Sequence, residues 1–117
     1  MSGVTTDYIP DRGDLIFLDF DPVRGHEQAG YRPALVLSNA LYNAKTGLAV
    51  VCPITSHAKN YPFEVQLPDG LKVTGVVLTD QIKSVAWPER NVVYKDSLPL
   101  SDFKLVLGKI LSLLTKG

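Results

Sequence analysis

Up to residue 95, apolar residues come in short runs cut by glycine, proline and small polar residues; beyond residue 100 they recur every three or four positions. The first pattern is that of β-strands, the second that of an amphipathic helix. "GDLIFLDFD" (13–21) reads as a strand, nearly continuous in its apolar part. "DPVRGHEQAGY" (21–31), with Pro22, Gly25 and Gly30, reads as a long, mobile loop. "RPALVLSN" (32–39) is a second strand. Pro33 has no N–H for a ladder, so it belongs at the first residues of that strand or on an edge. "ALYNAKTG" (40–47) is a connection with room for one helical turn, and "LAVVCPIT" (48–55) a third strand. After the polar loop "SHAKNYP" (56–62), "FEVQL" (63–67) alternates as a fourth strand and "PDG" (68–70) turns the chain. "GVVLTD" (75–80) and "IKSVAW" (82–87) form one bent strand or two, and "NVVYK" (91–95) is the last. Phe103, Val106, Leu107, Ile110, Leu111 and Leu114 then share one face of a helix over 101–115, with Ser101 in place as N-cap.

Several short strands and one terminal helix predict a single mainly-β domain over 1–117, a small β-barrel or strongly bent sheet closed by a helix. The strands 13–20 and 48–54 are apolar on both faces, where one-sided burial would give cleaner alternation. The surplus calls for a second cover, from the C-terminal helix and from a second subunit. A homodimer is therefore expected, since a monomer would expose an apolar patch of several hundred Å².

Composition narrows the class without naming it. The 117 residues are 45% hydrophobic and 21% charged, and twelve basic residues balance twelve acidic ones. A neutral chain is not an obvious nucleic-acid binder. The balance is uneven, however: residues 1–39 carry three Arg against six acids, and residues 40–95 carry six basic residues against four. Cys52 is the only cysteine, set within "LAVVCPI", so it reads as a buried thiol and no intrachain disulfide forms. No Cys or His pairing suggests a metal site, and no cofactor is expected. The polar start "MSGVTTDYIPDRGD" has no apolar signal core, and no run approaches a membrane span. A cytoplasmic protein is the simple expectation.

The candidate chemistry clusters at strand boundaries. Arg32 precedes Pro33 behind a glycine loop; it is either a structural salt-bridging arginine or a guanidinium fork positioned for an anion. Glu27 is a solvated loop charge or, near Arg32, a general base; His26 adjoins it, and adjacent loop residues usually point apart. Thr55 and Ser56 end the third strand as backbone caps or as hydroxyl donors to a phosphate, with Lys59 following in the same loop. "DQIKS" offers Asp80, Gln81, Lys83 and Ser84, a solvated turn or a nucleotide-reading edge. Phe63 reads as core and Trp87 as core or dimer interface; the alternative for both, and the reading for Tyr61, is a base-stacking platform. No Walker loop, Ser-His-Asp spacing or RNA-recognition motif is present. The residues alone support a small β-rich domain with an anion site.

Taken together, "GDLIFLDFDPVRGHEQAGYRPALVLS", "PITSHAKNYPFEVQL" and "GVVLTDQIKSVAW" resemble, in order and spacing, the MazF/PemK family of toxin endoribonucleases. The resemblance covers roughly residues 13–87, and the terminal helix fits it. It implies an SH3-like barrel with a C-terminal helix, a homodimer, and metal-independent cutting of single-stranded RNA to a 2′,3′-cyclic phosphate and a 5′-hydroxyl. It also implies an antitoxin whose acidic, flexible segment lies over the RNA groove. Arg32 in "GYRPALV" and Thr55 in "PITS" match the family's catalytic arginine and threonine, and Glu27 in "HEQAG" its loop glutamate. Lys59 and Lys83 would guide the strand through phosphates, with Ser56, Asp80 and Gln81 as further RNA contacts. Many relatives continue with basic residues after the tryptophan, where this chain reads "PERNVVYKD", so the positive edge is weaker. Related toxins of the same barrel bind DNA gyrase and rely on an aromatic C-terminal tail, whereas this tail is "LSLLTKG". A non-catalytic SH3-like interaction module is the remaining alternative.

Overall fold

The computed structural model describes residues 8–20 and 30–115. Seven strands are formed: β1 (Asp14–Phe20), β2 (Gly30–Val36), β3 (Ala49–Thr55), β4 (Glu64–Gln66), β5 (Val76–Leu78), β6 (Lys83–Val85) and β7 (Val93–Ser97). Two helices join them: α1 (Ala40–Thr46) between β2 and β3, and α2 (Leu100–Thr115) at the end. The sheet follows the path β4-β5-β3-β2-β1-β7, with β6 paired to β3 off that path, and every pairing is antiparallel. The expected mainly-β fold with a C-terminal helix is present, as a strongly bent sheet.

The bend is written into β3. Its first half pairs with β6 through Val51↔Lys83, and its last two residues pair with β5 through Ile54↔Val77 and Thr55↔Val76. Pro53 falls in the gap where the strand changes partner, so its missing N–H interrupts no ladder on that side. Pro33 is fourth in β2 rather than at its start, but it stands one residue beyond Ala34↔Pro53, where the β2–β3 pairing stops.

The central strands are buried on both faces. Leu15, Leu35, Cys52 and Ile54 face Val65, Val77 and the α2 residues Phe103, Val106 and Ile110. Ile16, Leu18, Ala34, Val36, Ala49 and Val51 form a second cluster, covered by Tyr8, Trp87 and Val92. The expected second cover is real, but the chain supplies it itself. Trp87 is partly buried against this cluster, and its indole N–H donates to the Asn43 carbonyl at 2.9 Å. Cys52 is fully buried, and burial first, then the charge of Asp80, pushes its thiol up to about 12.

Several elements depart from the sequence reading. The connection after β2 is a two-turn helix, capped by the Asn39 side chain on the Tyr42 N–H and ended by Gly47 at φ 72°. Helix α2 starts at Leu100, and the Pro99 carbonyl accepts the Phe103 N–H at 3.0 Å, so Ser101 lies in the first turn and is not the N-cap. Only Phe103, Val106 and Ile110 of its apolar positions are buried; Leu111 and Leu114 stay 57% and 69% exposed. Exposed apolar side chains lie on α2 and also on strands, at Tyr31 of β2 and at Val93 and Tyr94 of β7. Among the described residues no helix is long and apolar enough to cross a membrane.

Candidate active site

A cleft of about 410 Å³ opens where β2 and β3 stop pairing, and Arg32 and Thr55 both line it. Continuing the β2–β3 register two residues past Ala34↔Pro53 sets Arg32 opposite Thr55. The pairing itself ends at Ala34, and both side chains reach the cleft. Both are half-buried. Leu18 is the β1 partner of Arg32, so packed backbone fixes the base of the guanidinium arm.

The far wall is the loop between β3 and β4, with the turn after β5 beside it. Three polar side chains hold that loop in place. Thr55 Oγ1 accepts the His57 N–H at 3.1 Å. Both Glu64 carboxylate oxygens accept the Lys59 N–H, at 3.0 and 3.1 Å. The Tyr61 phenol donates to Asp80 Oδ2 at 2.5 Å. Asn60 takes φ 56° between the last two anchors, a left-handed geometry that asparagine tolerates better than most residues. The hydrogen bond to Asp80, then that carboxylate's charge, raises the Tyr61 pKa above its ordinary value. Asp80 Oδ1 is buried and has no hydrogen-bond partner among the described residues.

Behind Thr55 stands Gly75, at φ 122°. A Cβ there would overlap the Thr55 carbonyl oxygen, so only glycine lets the chain pass this close to the end of β3. Leu67 N–H and Gln66 Nε2 both donate to the Gly75 carbonyl at 3.0 Å, which fixes its position. The threonine is thus set from three sides: by β5, by Gly75 and by the His57 N–H.

The site offers a cationic fork and a hydroxyl on one wall, with an imidazole, an ammonium and two carboxylates opposite. That set suits a phosphodiester. The fork meets the anionic oxygens. A hydroxyl that accepts from a backbone N–H still has its own proton to donate.

Residues 11–114 match the model of the PemK-like, MazF-like toxins of type II toxin–antitoxin systems. The chain belongs to that family. The endoribonuclease toxin MazF of Escherichia coli strain K12 is 50% identical over 103 residues, which span 88% of this chain and 92% of that protein. The crystal structure of MazF from Deinococcus radiodurans matches with TM-score 0.88 at 53% identity, covering 92% of this chain and 98% of that one. A MazE–MazF structure from the same organism matches at TM-score 0.83 and 47% identity, over 95% of this chain and 100% of that one.

Of the residues singled out from sequence, Arg32, Thr55, Lys59, Asp80 and Gln81 line the one cleft. Ser56 is exposed beside Thr55 but is not part of the wall. Lys83 is on β6, outside the cleft lining, with Nζ 5.6 Å from the Phe20 ring centroid. Glu27 and His26 lie outside the described residues. The sequence reading passed over His57 and Glu64 and took Tyr61 only as a stacking ring. His57 carried one usable signal, its place two residues after Thr55. Glu64 carried none, because its role is to hold a backbone N–H brought to it by the loop.

Proposed function

We propose that this chain is the toxin of a type II toxin–antitoxin system, an endoribonuclease that cuts single-stranded RNA at a short sequence. The presence of Arg32 and Thr55 in the lining of one cleft carries this reading. The ribose 2′-hydroxyl attacks the adjacent phosphorus, the 5′-oxygen leaves, and the products are a 2′,3′-cyclic phosphate and a 5′-hydroxyl. The substrate supplies the nucleophile, so the reaction needs no metal to make one. Arg32 stabilises the charge of the phosphorane through its fork, and Thr55 donates to a phosphate oxygen. Glu27 is the proposed base for the 2′-hydroxyl proton. Lys59 and Lys83 track phosphates, and Ser56, Asp80 and Gln81 contact the strand.

The partners follow from the same reading. An antitoxin with an acidic, flexible segment competes with RNA for the cleft in the cytoplasm. Two copies of the chain form the working unit, with the exposed leucines of α2 as the apolar surface to be covered. Incubating the purified chain with a long mRNA in EDTA and mapping 5′ ends tests the activity. Cuts are expected at one short motif, and replacing the 2′-hydroxyl at the cut site by hydrogen abolishes them. Cutting of the deoxy-substituted site would exclude the cyclic-phosphate route. Sedimentation equilibrium giving the 12.8 kDa mass of one chain at tens of micromolar would exclude the dimer.

A further inference from the structure

We propose that His57 is the general acid of the cut, handing a proton to the 5′-oxygen as it leaves phosphorus. The assignment rests on the ribonuclease reading above and fills a role that reading leaves empty. As the 2′-oxygen–phosphorus bond forms and the phosphorus–5′-oxygen bond breaks, two protons move. The 2′-hydroxyl proton passes to a carboxylate base. The departing 5′-oxygen takes one from the imidazolium, which becomes neutral and is reprotonated from buffer.

The described cleft contains one side chain suited to that second transfer. Guanidinium and ammonium groups, here Arg32 and Lys59, release protons only far above neutral pH. The Tyr61 phenol proton is engaged with Asp80, and the Glu64 carboxylate is engaged as an acceptor of the Lys59 N–H. Imidazole both carries and releases a proton between pH 5 and 8. His57 lines the same cleft as Arg32 and Thr55. Its backbone is set by Thr55 Oγ1 on one side and by the Lys59–Glu64 contact on the other. The first bond ties its backbone to the threonine proposed to hold the phosphate. The charges facing it are Arg32 from β2, Lys59 within its own loop, Glu64 from β4 and Asp80 from the turn after β5. Two cations and two carboxylates thus share the cleft with the imidazole.

The test uses an RNA oligonucleotide carrying the mapped cut site in two forms: the natural one, and one with sulfur in place of the bridging 5′-oxygen. A thiolate leaves without being protonated. His57→Gln should lose about 10²-fold in kcat on the oxygen substrate, the scale of a lost general acid. On the sulfur substrate it should cut near the wild-type rate, while Arg32→Ala stays slow on both. The wild type should also slow as pH rises between 5 and 8 on the oxygen substrate, and this limb should vanish in His57→Gln. Equal losses on both substrates, no loss on the oxygen substrate, or a change in KM alone would each overturn the assignment. A wild type that cuts neither substrate, nor the parent mRNA, would instead bring down the ribonuclease reading on which it rests.

Discussion

Two hollows in this surface are each flanked by a tyrosine whose phenol donates to an aspartate, and the two pairs are built differently. In the hollow of about 570 Å³ beside β7, Tyr8 donates to Asp14 Oδ2 at 2.6 Å, and that oxygen also accepts the Asp11 N–H at 3.0 Å. The Tyr8 ring packs on Tyr94 at 5.8 Å and against the second core cluster. In the cleft, Tyr61 donates to Asp80 Oδ2, yet Tyr61 is 46% exposed and Asp80 Oδ1 is buried with no partner among the described residues. Leaving a buried polar atom unsatisfied costs about 1–3 kcal/mol. The same donor and acceptor thus pin the fold where core surrounds them, and in the cleft proposed to take RNA leave one carboxylate oxygen without a partner among the described residues. Sites keep such imperfections because groups arranged for a ligand are not arranged for the empty protein.

The sharpest way to break this contrast is at the cleft's cation. Arg32→Ala should lower kcat by about 10²–10³, the scale of one lost electrostatic donor, with the urea midpoint nearly unchanged. Arg32→Lys should stay poor, because a point charge does not reproduce a planar fork. A midpoint that drops along with kcat would make Arg32 a structural residue, as Tyr8 is here.

Next in size is the glycine packed behind Thr55. Gly75→Ala should destabilise the fold by roughly 1–3 kcal/mol from its backbone angle alone. The overlap with the Thr55 carbonyl adds to that and should slow cutting as well. Near-wild-type stability and activity would mean that the backbone behind Thr55 yields as easily as the cleft's rim.

Tyr8→Phe comes third. Removing one half-buried hydrogen bond should cost about 1 kcal/mol in urea unfolding, with RNA cutting unchanged. Its pH dependence gives a second reading. Burial first, then the hydrogen bond and charge of Asp14, raises the Tyr8 pKa above its ordinary value. The folded state then keeps the phenol proton longer than the unfolded chain does. This stabilisation is fully present below about pH 10, the ordinary phenol value, and is lost as pH rises through the raised one. Wild-type stability should therefore fall with alkali more steeply than that of Tyr8→Phe. Parallel slopes would refute the buried-pair account.

How much of this was readable beforehand differs between the two regions. The strands that make both cores were legible, because runs such as "LIFLDF" and "LAVVCPI" leave no face for water. That the chain itself would cover both faces was not, since periodicity states a demand and not which neighbour meets it. For the same reason the stripe on α2 read as one surface, although the fold buries Phe103, Val106 and Ile110 and leaves Leu111 and Leu114 out. Asn39 and Gly47 bracketed α1 in plain view but enclosed too few residues to outweigh a loop reading. At the cleft, the residues alone offered Arg32 as an anion fork and Thr55 as a hydroxyl donor, each beside a structural alternative, and only the resemblance joined them in one site. Their meeting in one cleft depends on the β2–β3 register, which no local pattern encodes. The anchors of the 56–62 loop were invisible for a related reason: Glu64 and Asp80 act there by accepting bonds from residues that only the folded turn delivers.

The smallest expected effect is the most direct test of the contrast. Tyr61→Phe removes the same kind of bond as Tyr8→Phe while keeping the ring, whose edge contact with Phe63 is 6.1 Å between centroids. At an exposed position water can take over Asp80 Oδ2, so the stability change should stay within about 0.5 kcal/mol, as at most surface sites. The loop, however, loses one of its three anchors. The cost should therefore appear when RNA is bound and the rim must hold one shape: KM rises a few-fold, as for a fraction of a hydrogen bond, while kcat changes little. Steady-state cutting of the mapped oligonucleotide and urea unfolding of the same preparations give both numbers. If Tyr61→Phe destabilises the fold as much as Tyr8→Phe and leaves KM alone, the two tyrosine–aspartate pairs are equivalent structural pins, and the Tyr61–Asp80 pair has no part in RNA binding.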